Sequence, residues 1–191
     1  MNPALLVIDI QRGFFSKPER QPGLQVLISR INELIDLFHR LELPIIHVLT
    51  VHKADGSTGD LWMRRNNRIS MVDGTPDTEE CPEVHRYETD VVIRKMRHSA
   101  FTRTDLEAIL GRVQVDTVVL TGFSTNACVG LTAIDAYERD FDVLLGQEAI
   151  LGCDQPRADL MLKYLHTEFA IDPVSISTIM ERIANEGTGR A

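Results

Sequence analysis

The chain has 191 residues, 43% of them hydrophobic and 25% charged, with a formal net charge of -8. This composition is ordinary for a globular protein, and the negative charge argues against nucleic acid and anionic membranes as partners. No apolar run approaches the roughly 20 residues of a membrane span, and residues 1–9 lack the basic start of a signal peptide. Three widely spaced cysteines form neither a disulfide framework nor a zinc pattern, so we expect a reduced, cytoplasmic protein.

The first part of the chain predicts a strand, a helix and a second strand. Residues 4–8 are a continuous apolar run, which suits a parallel strand buried on both faces. Between Pro22 and Leu43, apolar residues recur at spacings of three and four, which predicts an amphipathic helix. Residues 45–49 predict the next strand, in which we expect His47 to be buried and hydrogen-bonded rather than a ligand.

Residues 51–89 have little apolar periodicity and are rich in Gly, Pro, Asp and Thr. They predict a long loop with a short helix at residues 60–67, and long loops of this kind are often lids or binding loops. Trp62 could form a wall of the substrate pocket, or could pack the lid helix.

The remaining residues alternate between strands and helices. Strands are predicted at residues 90–95, 115–120, 141–145 and 169–174, and helices at residues 104–110, 155–168 and 177–184, with a further helix that carries Cys128 in its first turn. Residues 186–191 are expected to be frayed. The alternation predicts one α/β domain over residues 1–191, with a mostly parallel sheet.

Three polar side chains stand at or just after the ends of predicted strands: Asp9, Lys95 and Cys128. In a sheet whose strand order reverses near the first strand, these ends meet at one crevice. The helix start and the Lys95 ammonium would favour a Cys128 thiolate, and Asp9 could accept the thiol proton. The alternative is a buried Asp–Lys ion pair beside an inert core cysteine, and such pairs are costly to desolvate.

Three segments carry a family resemblance: ALLVIDIQRGFF, VVIRKMRHSAF and TGFSTNACVGLTAIDAYERDFDV. In this order and spacing they resemble the isochorismatase-like cysteine hydrolases, which include nicotinamidases, carbamoylsarcosine amidase and ureidoacrylate amidohydrolases. The resemblance implies a Rossmann-like three-layer sandwich with strand order 3-2-1-4-5-6 and a triad of Asp9, Lys95 and Cys128. It also implies a cis peptide bond between Phe123 and Ser124, with the N–H groups of Ser124 and Cys128 directed at an oxyanion.

A cysteine nucleophile suits acyl transfer, so we expect hydrolysis of a small carboxamide, carbamoyl or ureido C–N bond through a thioester. Relatives that lack the cysteine cleave a vinyl ether, and Cys128 argues against that reaction here. Two further alternatives are a non-catalytic scaffold with a closed pocket and a nucleotide-binding module. The second is disfavoured because no G-x-G-x-x-G motif follows a predicted strand.

Nicotinamidases of this family bind a metal through an Asp-x-His pair and a second histidine. The matching piece here is Thr50-Val51-His52, which lacks the aspartate, and the next histidine is His85. We therefore expect no metal and no other cofactor, and we place His52 in the loop or the substrate pocket.

The remaining expectations concern the pocket and the partners. The pocket is expected to include Gln11, Phe15, His52 and Trp62. An anionic substrate could meet one of several arginines, although most are expected to be solvated: Arg64, Arg65, Arg68, Arg94 and Arg97. Cys81 and Cys153 are interpreted as bystanders, and family members commonly form dimers or tetramers, so we expect a homo-oligomer acting on a small molecule.

Overall fold

The computed structural model describes the backbone of residues 1–187 and the side chains of residues 1–185. Its six strands form one sheet in the order 3-2-1-4-5-6, and every pairing is parallel. The strands are β1 (Pro3–Ile8), β2 (Ile45–Thr50), β3 (Val91–Lys95), β4 (Thr117–Phe123), β5 (Asp142–Leu151) and β6 (Pro173–Val174). The helices are α1 (Gln21–Arg40), α2 (Leu61–Arg65), α3 (Leu106–Arg112), α4 (Gly130–Tyr137), α5 (Gln155–Phe169) and α6 (Ile176–Gly187).

The sheet is covered by helices on both faces, which confirms the expected three layers. Along β1, Leu6 and Ile8 face a core shared with α3, α4 and α5, whereas Leu5 and Val7 face a core shared with α1 and α6. This alternation explains why β1 is a continuous apolar run: each of its residues is buried on one face or the other. Within the described residues, no helix combines the length and the apolar character that a membrane crossing requires.

The predicted strands and helices are present, and the structure differs from the prediction in where they begin and end. β5 runs to Leu151, six residues beyond the predicted strand end at 145. β6 has only two residues, whereas a strand was predicted over residues 169–174. The last helix, predicted to end at 184, continues to Gly187. It therefore includes the first two residues of the expected frayed tail, and the rest of that tail, 188–191, lies outside the described residues.

The long segment between β2 and β3 is fastened to the sheet by polar contacts. His47 is fully buried, with Nδ1 2.7 Å from Oε1 of Glu80 and Nε2 3.2 Å from Oδ2 of Asp90. The segment also forms isolated bridges, one between Gln11 and Glu80 and one between His52 and Val72. His47 is thus a hydrogen-bonded core residue, as predicted, and it anchors the expected lid to β2.

Gly122 allows β1 and β4 to approach closely where both strands end. Its φ is +113°, and a Cβ built on it would lie 2.0 Å from the carbonyl oxygen of Ile8. Ile8 pairs with Gly122 in register and directly precedes Asp9. The glycine therefore determines how closely the two strand ends that flank the candidate site can pack.

We predict that Gly122→Ala is strongly destabilising. Holding an alanine at this φ would lower the free energy of unfolding by about 1–3 kcal/mol, and the overlap of its Cβ with Ile8 would lower it by about 1–3 kcal/mol more. Gly111→Ala is the matched control, because nothing lies within 4 Å of its Cβ position and helix α3 favours alanine. Urea unfolding of both variants checks this, and a Gly122→Ala protein as stable as the Gly111→Ala protein would contradict it.

Candidate active site

The ends of three strands bring together the side chains that the sequence singled out. Asp9 follows β1, Lys95 ends β3, and Cys128 lies in the turn of π-helix Thr125–Val129 that leads from β4 into α4. The ammonium Nζ of Lys95 lies 2.7 Å from Oδ2 of Asp9 and 3.4 Å from Sγ of Cys128. Lysine thus contacts both the carboxylate and the sulfur, and the Asp9 and Lys95 side chains are fully buried.

Thr50, the last residue of β2, fills the space between the two charged groups. Its hydroxyl donates to Oδ1 of Asp9 at 2.9 Å and accepts from Nζ of Lys95 at 2.7 Å. Its backbone N–H also donates to Oδ1 of Asp9, at 3.0 Å. Because β2 lies between β1 and β3, a short hydroxyl side chain at this strand end connects the carboxylate to the ammonium. Both carboxylate oxygens are thereby satisfied inside the protein.

The surroundings of Cys128 favour the thiol, although the sequence analysis expected the helix start and Lys95 to favour the thiolate. Burial raises the pKa of Cys128 to about 12; the Asp9 carboxylate adds to the rise, and Lys95 opposes it. For Lys95 itself, burial disfavours the charge, but Asp9 and then Cys128 outweigh burial, so its pKa is raised. The Cys128 side chain is only 8% exposed, so its desolvation raises the pKa of the thiol by more than the neighbouring Lys95 lowers it.

The loop before Cys128 contains a cis peptide bond between Phe123 and Ser124, at the position implied by the resemblance. The Ser124 side chain faces Cys153, whose Sγ lies 3.5 Å from the serine Oγ. The backbone N–H of Cys153 donates to Oδ1 of Asn126 at 3.0 Å, which ties the segment after β5 to the cysteine loop. Cys153 is therefore a neighbour of the site rather than a distant bystander.

A cavity of about 230 Å³ opens beside the sulfur. The segment between β2 and β3, expected to form the lid, supplies several of its walls. The lining residues are Phe14, Arg20, Thr50, His52, Asp60, Met63, Ser70, Met71, Lys95, Met96, Arg97, His98, Phe123, Ser124, Ala127, Cys128 and Cys153. The reactive sulfur is thus accessible to a small molecule although the cysteine is largely buried.

Of the four expected pocket residues, His52 lines the cavity and three do not. Gln11 is fully buried behind it, where its amide donates to the carbonyls of Thr50 and Thr78 at 3.0 and 2.9 Å. Phe15 packs in the core with its ring 5.0 Å from that of Phe123, and its neighbour Phe14 takes the place in the lining. Trp62 is 60% exposed on the outer side of α2. A short helix has one inward face, and here Met63 occupies it, with the N-cap residue Asp60 beside it in the lining.

The residues around His52 lack the aspartate of the family's metal-binding pair, so they do not complete that ligand set. Thr50, at the position of the family aspartate, already contacts both Asp9 and Lys95 through its hydroxyl. Burial lowers the pKa of His52, while the Thr58 carbonyl and the Asp60 carboxylate oppose this shift. Among the described residues, its buried Nδ1 has no hydrogen-bond partner. Through the described part of the chain, no group of three or more His, Cys, Asp and Glu side chains is arranged to hold an ion.

Several residues at the site were not placed there by the sequence analysis, among them Thr50, Phe14, His98 and Cys153. Thr50 could have been found, because it pairs in register with Lys95 and therefore shares its strand end. Phe14 and Phe15 are adjacent in a turn, and no pattern distinguishes which ring faces inward. Cys153 follows a strand that extends well beyond its predicted end, so its approach to Ser124 depends on that extension.

Comparisons with known proteins give a matching family and several relatives. Residues 3–172 match the isochorismatase domain family. The chain is 32% identical to the maleamate amidohydrolase of Pseudomonas putida over 155 residues, which cover 78% of this chain and 71% of the relative. It is 29% identical to Nicotinamidase 3 of Arabidopsis thaliana over 169 residues, or 87% and 82% of the two chains. The crystal structure of N-carbamoylsarcosine amidase from Thermoplasma acidophilum is similar with a TM-score of 0.79 at 28% identity, covering 92% of this chain and 97% of that one.

We predict that Asp9→Asn lowers the pH at which Cys128 becomes reactive. The Asp9 carboxylate raises the pKa of the thiol, so its removal should shift alkylation downward by about 1–3 pH units. Iodoacetamide rates across the neutral and alkaline range, assigned by peptide mass spectrometry, measure the shift. Cys81 is the internal control, because Asp9 is not among the groups that raise its pKa to about 11. If the pH midpoint of Cys128 alkylation were unchanged or raised in Asp9→Asn, the effect of Asp9 on the pKa of Cys128 would be contradicted.

Proposed function

The chain belongs to the isochorismatase family, and we propose that it is a cysteine-dependent hydrolase that cleaves the C–N bond of a small carboxamide, carbamoyl or ureido compound. The observation that carries the proposal is the contact of one buried ammonium with both the Asp9 carboxylate and the Cys128 sulfur, at the wall of a cavity. Nucleophile, base and cation are the groups that such a reaction requires.

The first half of the reaction is acyl transfer to sulfur. As the Cys128 sulfur attacks the carbonyl carbon, Asp9 accepts the thiol proton and a C–S bond forms. The N–H groups of Ser124 and Cys128 stabilise the oxyanion in this proposal. When the tetrahedral species collapses, Asp9 returns the proton to nitrogen, the C–N bond breaks, and ammonia or an amine leaves a thioester.

The second half restores the enzyme. Water attacks the thioester and gives its proton to Asp9, the C–S bond breaks, and the sulfur regains that proton as the acid departs. Burial raises the pKa of Cys128, which supports a route in which the thiol loses its proton as the attack proceeds. Asp9 is therefore assigned to deprotonate the nucleophile in each turnover, and Lys95 to balance the negative charge that passes between oxygen and sulfur.

The cavity and the relatives support the amide reaction over its alternatives. A volume of about 230 Å³ lies below the roughly 300–1,000 Å³ of typical ligand pockets, which suits a small compound. The three named relatives are amidases by name. An open cavity next to Cys128 disfavours a closed scaffold, and the cysteine itself disfavours the ether reaction of relatives that lack it.

We predict that Cys128→Ala abolishes turnover while the protein stays folded. With the nucleophile removed no thioester can form, so ammonia release should fall by at least about a thousandfold. A panel of small amides and ureas, assayed for ammonia, supplies the measurement. Cys81→Ala is the matched control, since Cys81 lies in the core away from the cavity lining. Activity retained in Cys128→Ala would rule out the acyl-enzyme route.

A further inference from the structure

The proposed reaction assigns no role to His98, although this residue lies next to the nucleophile. His98 lines the cavity, and its Nδ1 is 3.7 Å from Sγ of Cys128. The residue is exposed, whereas Asp9 and Lys95 are fully buried. The sulfur therefore lies between a buried ion pair and an imidazole on the solvent side.

The backbone on both sides of His98 is fixed to the site. The carbonyl of the preceding residue accepts from Nζ of Lys95 at 3.2 Å. Two residues after His98, the N–H of Ala100 donates to the hydroxyl of Thr132 at 3.0 Å, and that hydroxyl donates to the carbonyl of Cys128 at 2.6 Å. The segment that carries the imidazole is thus tied to the lysine and to the first turn of α4, which holds the ring near the sulfur.

The Asp9 carboxylate has little capacity for further hydrogen bonds. Its Oδ1 accepts the N–H and the hydroxyl of Thr50, and its Oδ2 accepts from Lys95. The Cys128 thiol is its fourth hydrogen-bonding neighbour, and a carboxylate has about four acceptor sites. When an acyl group replaces the thiol hydrogen, one site becomes free. Asp9 can then take one hydrogen of an attacking water and no more.

The second hydrogen of that water requires another acceptor. The neighbouring oxygens are already engaged: the hydroxyl of Thr50 bonds to Asp9 and Lys95, and the carbonyl of Arg97 accepts from Lys95. Within the part of the chain that the structure describes, the ring of His98 has the sulfur as its single polar contact. With the ring proton on Nε2, Nδ1 is an acceptor directed at the place where the thioester forms.

We propose that His98 binds the water that hydrolyses the thioester: the water donates one hydrogen bond to Nδ1 of His98 and gives its other hydrogen to Asp9. This inference rests on the proposed function and adds a residue to its second half. The water oxygen bonds to the carbonyl carbon as Asp9 takes one proton, and the other proton stays on that oxygen. The C–S bond then breaks, the sulfur takes the proton from Asp9, and the acid leaves.

This role is confined to the second half of the reaction. In the first half the nucleophile is sulfur, and the proton passes from sulfur to Asp9 and then to nitrogen without a water. Loss of the acceptor at His98 should therefore slow hydrolysis of the thioester and spare its formation. A purely structural role for the ring would not separate the two steps in this way.

The probe is p-nitrophenyl acetate, which makes the two halves visible with one reagent. The Cys128 sulfur bonds to the acetyl carbon, the C–O bond breaks, and p-nitrophenol leaves with the proton that Asp9 accepted. Absorbance follows this step, and peptide mass spectrometry follows the later loss of the acetyl group after excess ester is removed. Assignment to a peptide is needed because Cys153 also lines the cavity.

His98→Phe replaces the ring with one of similar size that has no acceptor. Loss of acetyl from Cys128 should slow by at least about tenfold, whereas its formation should change by less than about threefold. The kcat and KM for this ester should then fall by the same factor. His98→Asn places an oxygen near the position of Nδ1 and should retain part of the hydrolysis rate. His166→Phe is the matched control, because His166 is exposed on α5 and lies outside the cavity lining.

Hydroxylamine tests whether the thioester stays accessible in His98→Phe. Its nitrogen bonds to the acetyl carbon, the C–S bond breaks, the sulfur takes a proton from that nitrogen, and acetohydroxamic acid leaves. This reagent is a far stronger nucleophile than water, so it should remove the acetyl group from His98→Phe and from the unmodified protein at similar rates. A variant that is slow toward hydroxylamine as well as water has lost access to the thioester, which overturns the inference.

The remaining outcomes separate this inference from the proposed function. Equal rates of acetyl loss in His98→Phe and the unmodified protein, or a His98→Asn protein as slow as His98→Phe, overturn the role of His98 and leave the amide reaction standing. If no acetyl group forms on Cys128 of the unmodified protein, the acyl-enzyme route is overturned, and the role of His98 is overturned with it.

Discussion

The fully buried contact between Lys95 and Asp9 is the interaction on which the rest of the site depends. The two groups lie 2.7 Å apart with no exposure to solvent, and removal of either charge would leave the other one buried alone at a cost of several kcal/mol. The pair joins the ends of β1 and β3, which are not neighbours in the sheet, and Thr50 connects the two charges across β2. One ion pair therefore holds three strand ends in a common arrangement and sets the position against which the Cys128 sulfur lies.

The backbone is shaped to permit that contact. Asp9 adopts a φ of +54°, a left-handed conformation that non-glycine residues rarely adopt. Its carboxylate is held by three hydrogen bonds from Thr50 and Lys95, which offset the cost of the conformation. On the neighbouring strand, Gly122 has no Cβ, and a Cβ there would overlap the backbone of Ile8. The close pairing of the strands and the hydrogen bonds of the site thus constrain the same few residues at the end of the sheet.

The sequence predicts the features that depend on long patterns. Continuous apolar strands and an amphipathic α1 lead to the sheet, and polar residues at or after strand ends lead to Asp9, Lys95 and Cys128. The sequence does not predict which of two adjacent side chains points into the cavity. Phe14 lines it rather than Phe15, and Met63 rather than Trp62, because adjacent residues on a turn or a short helix share the same sequence pattern. Nor can it give the balance of effects on the pKa of Cys128: a helix start and a lysine can be seen in the sequence, but the burial that raises the pKa cannot.

The burial of Cys128 also bears on oxidative damage. Peroxide attacks thiolate, and the resulting sulfenic acid can be oxidised further and irreversibly. Burial raises the pKa of Cys128 and so disfavours the form that peroxide attacks. The desolvation that shapes the site therefore also limits oxidation of the sulfur, and it does so without a disulfide, since all three cysteines are free.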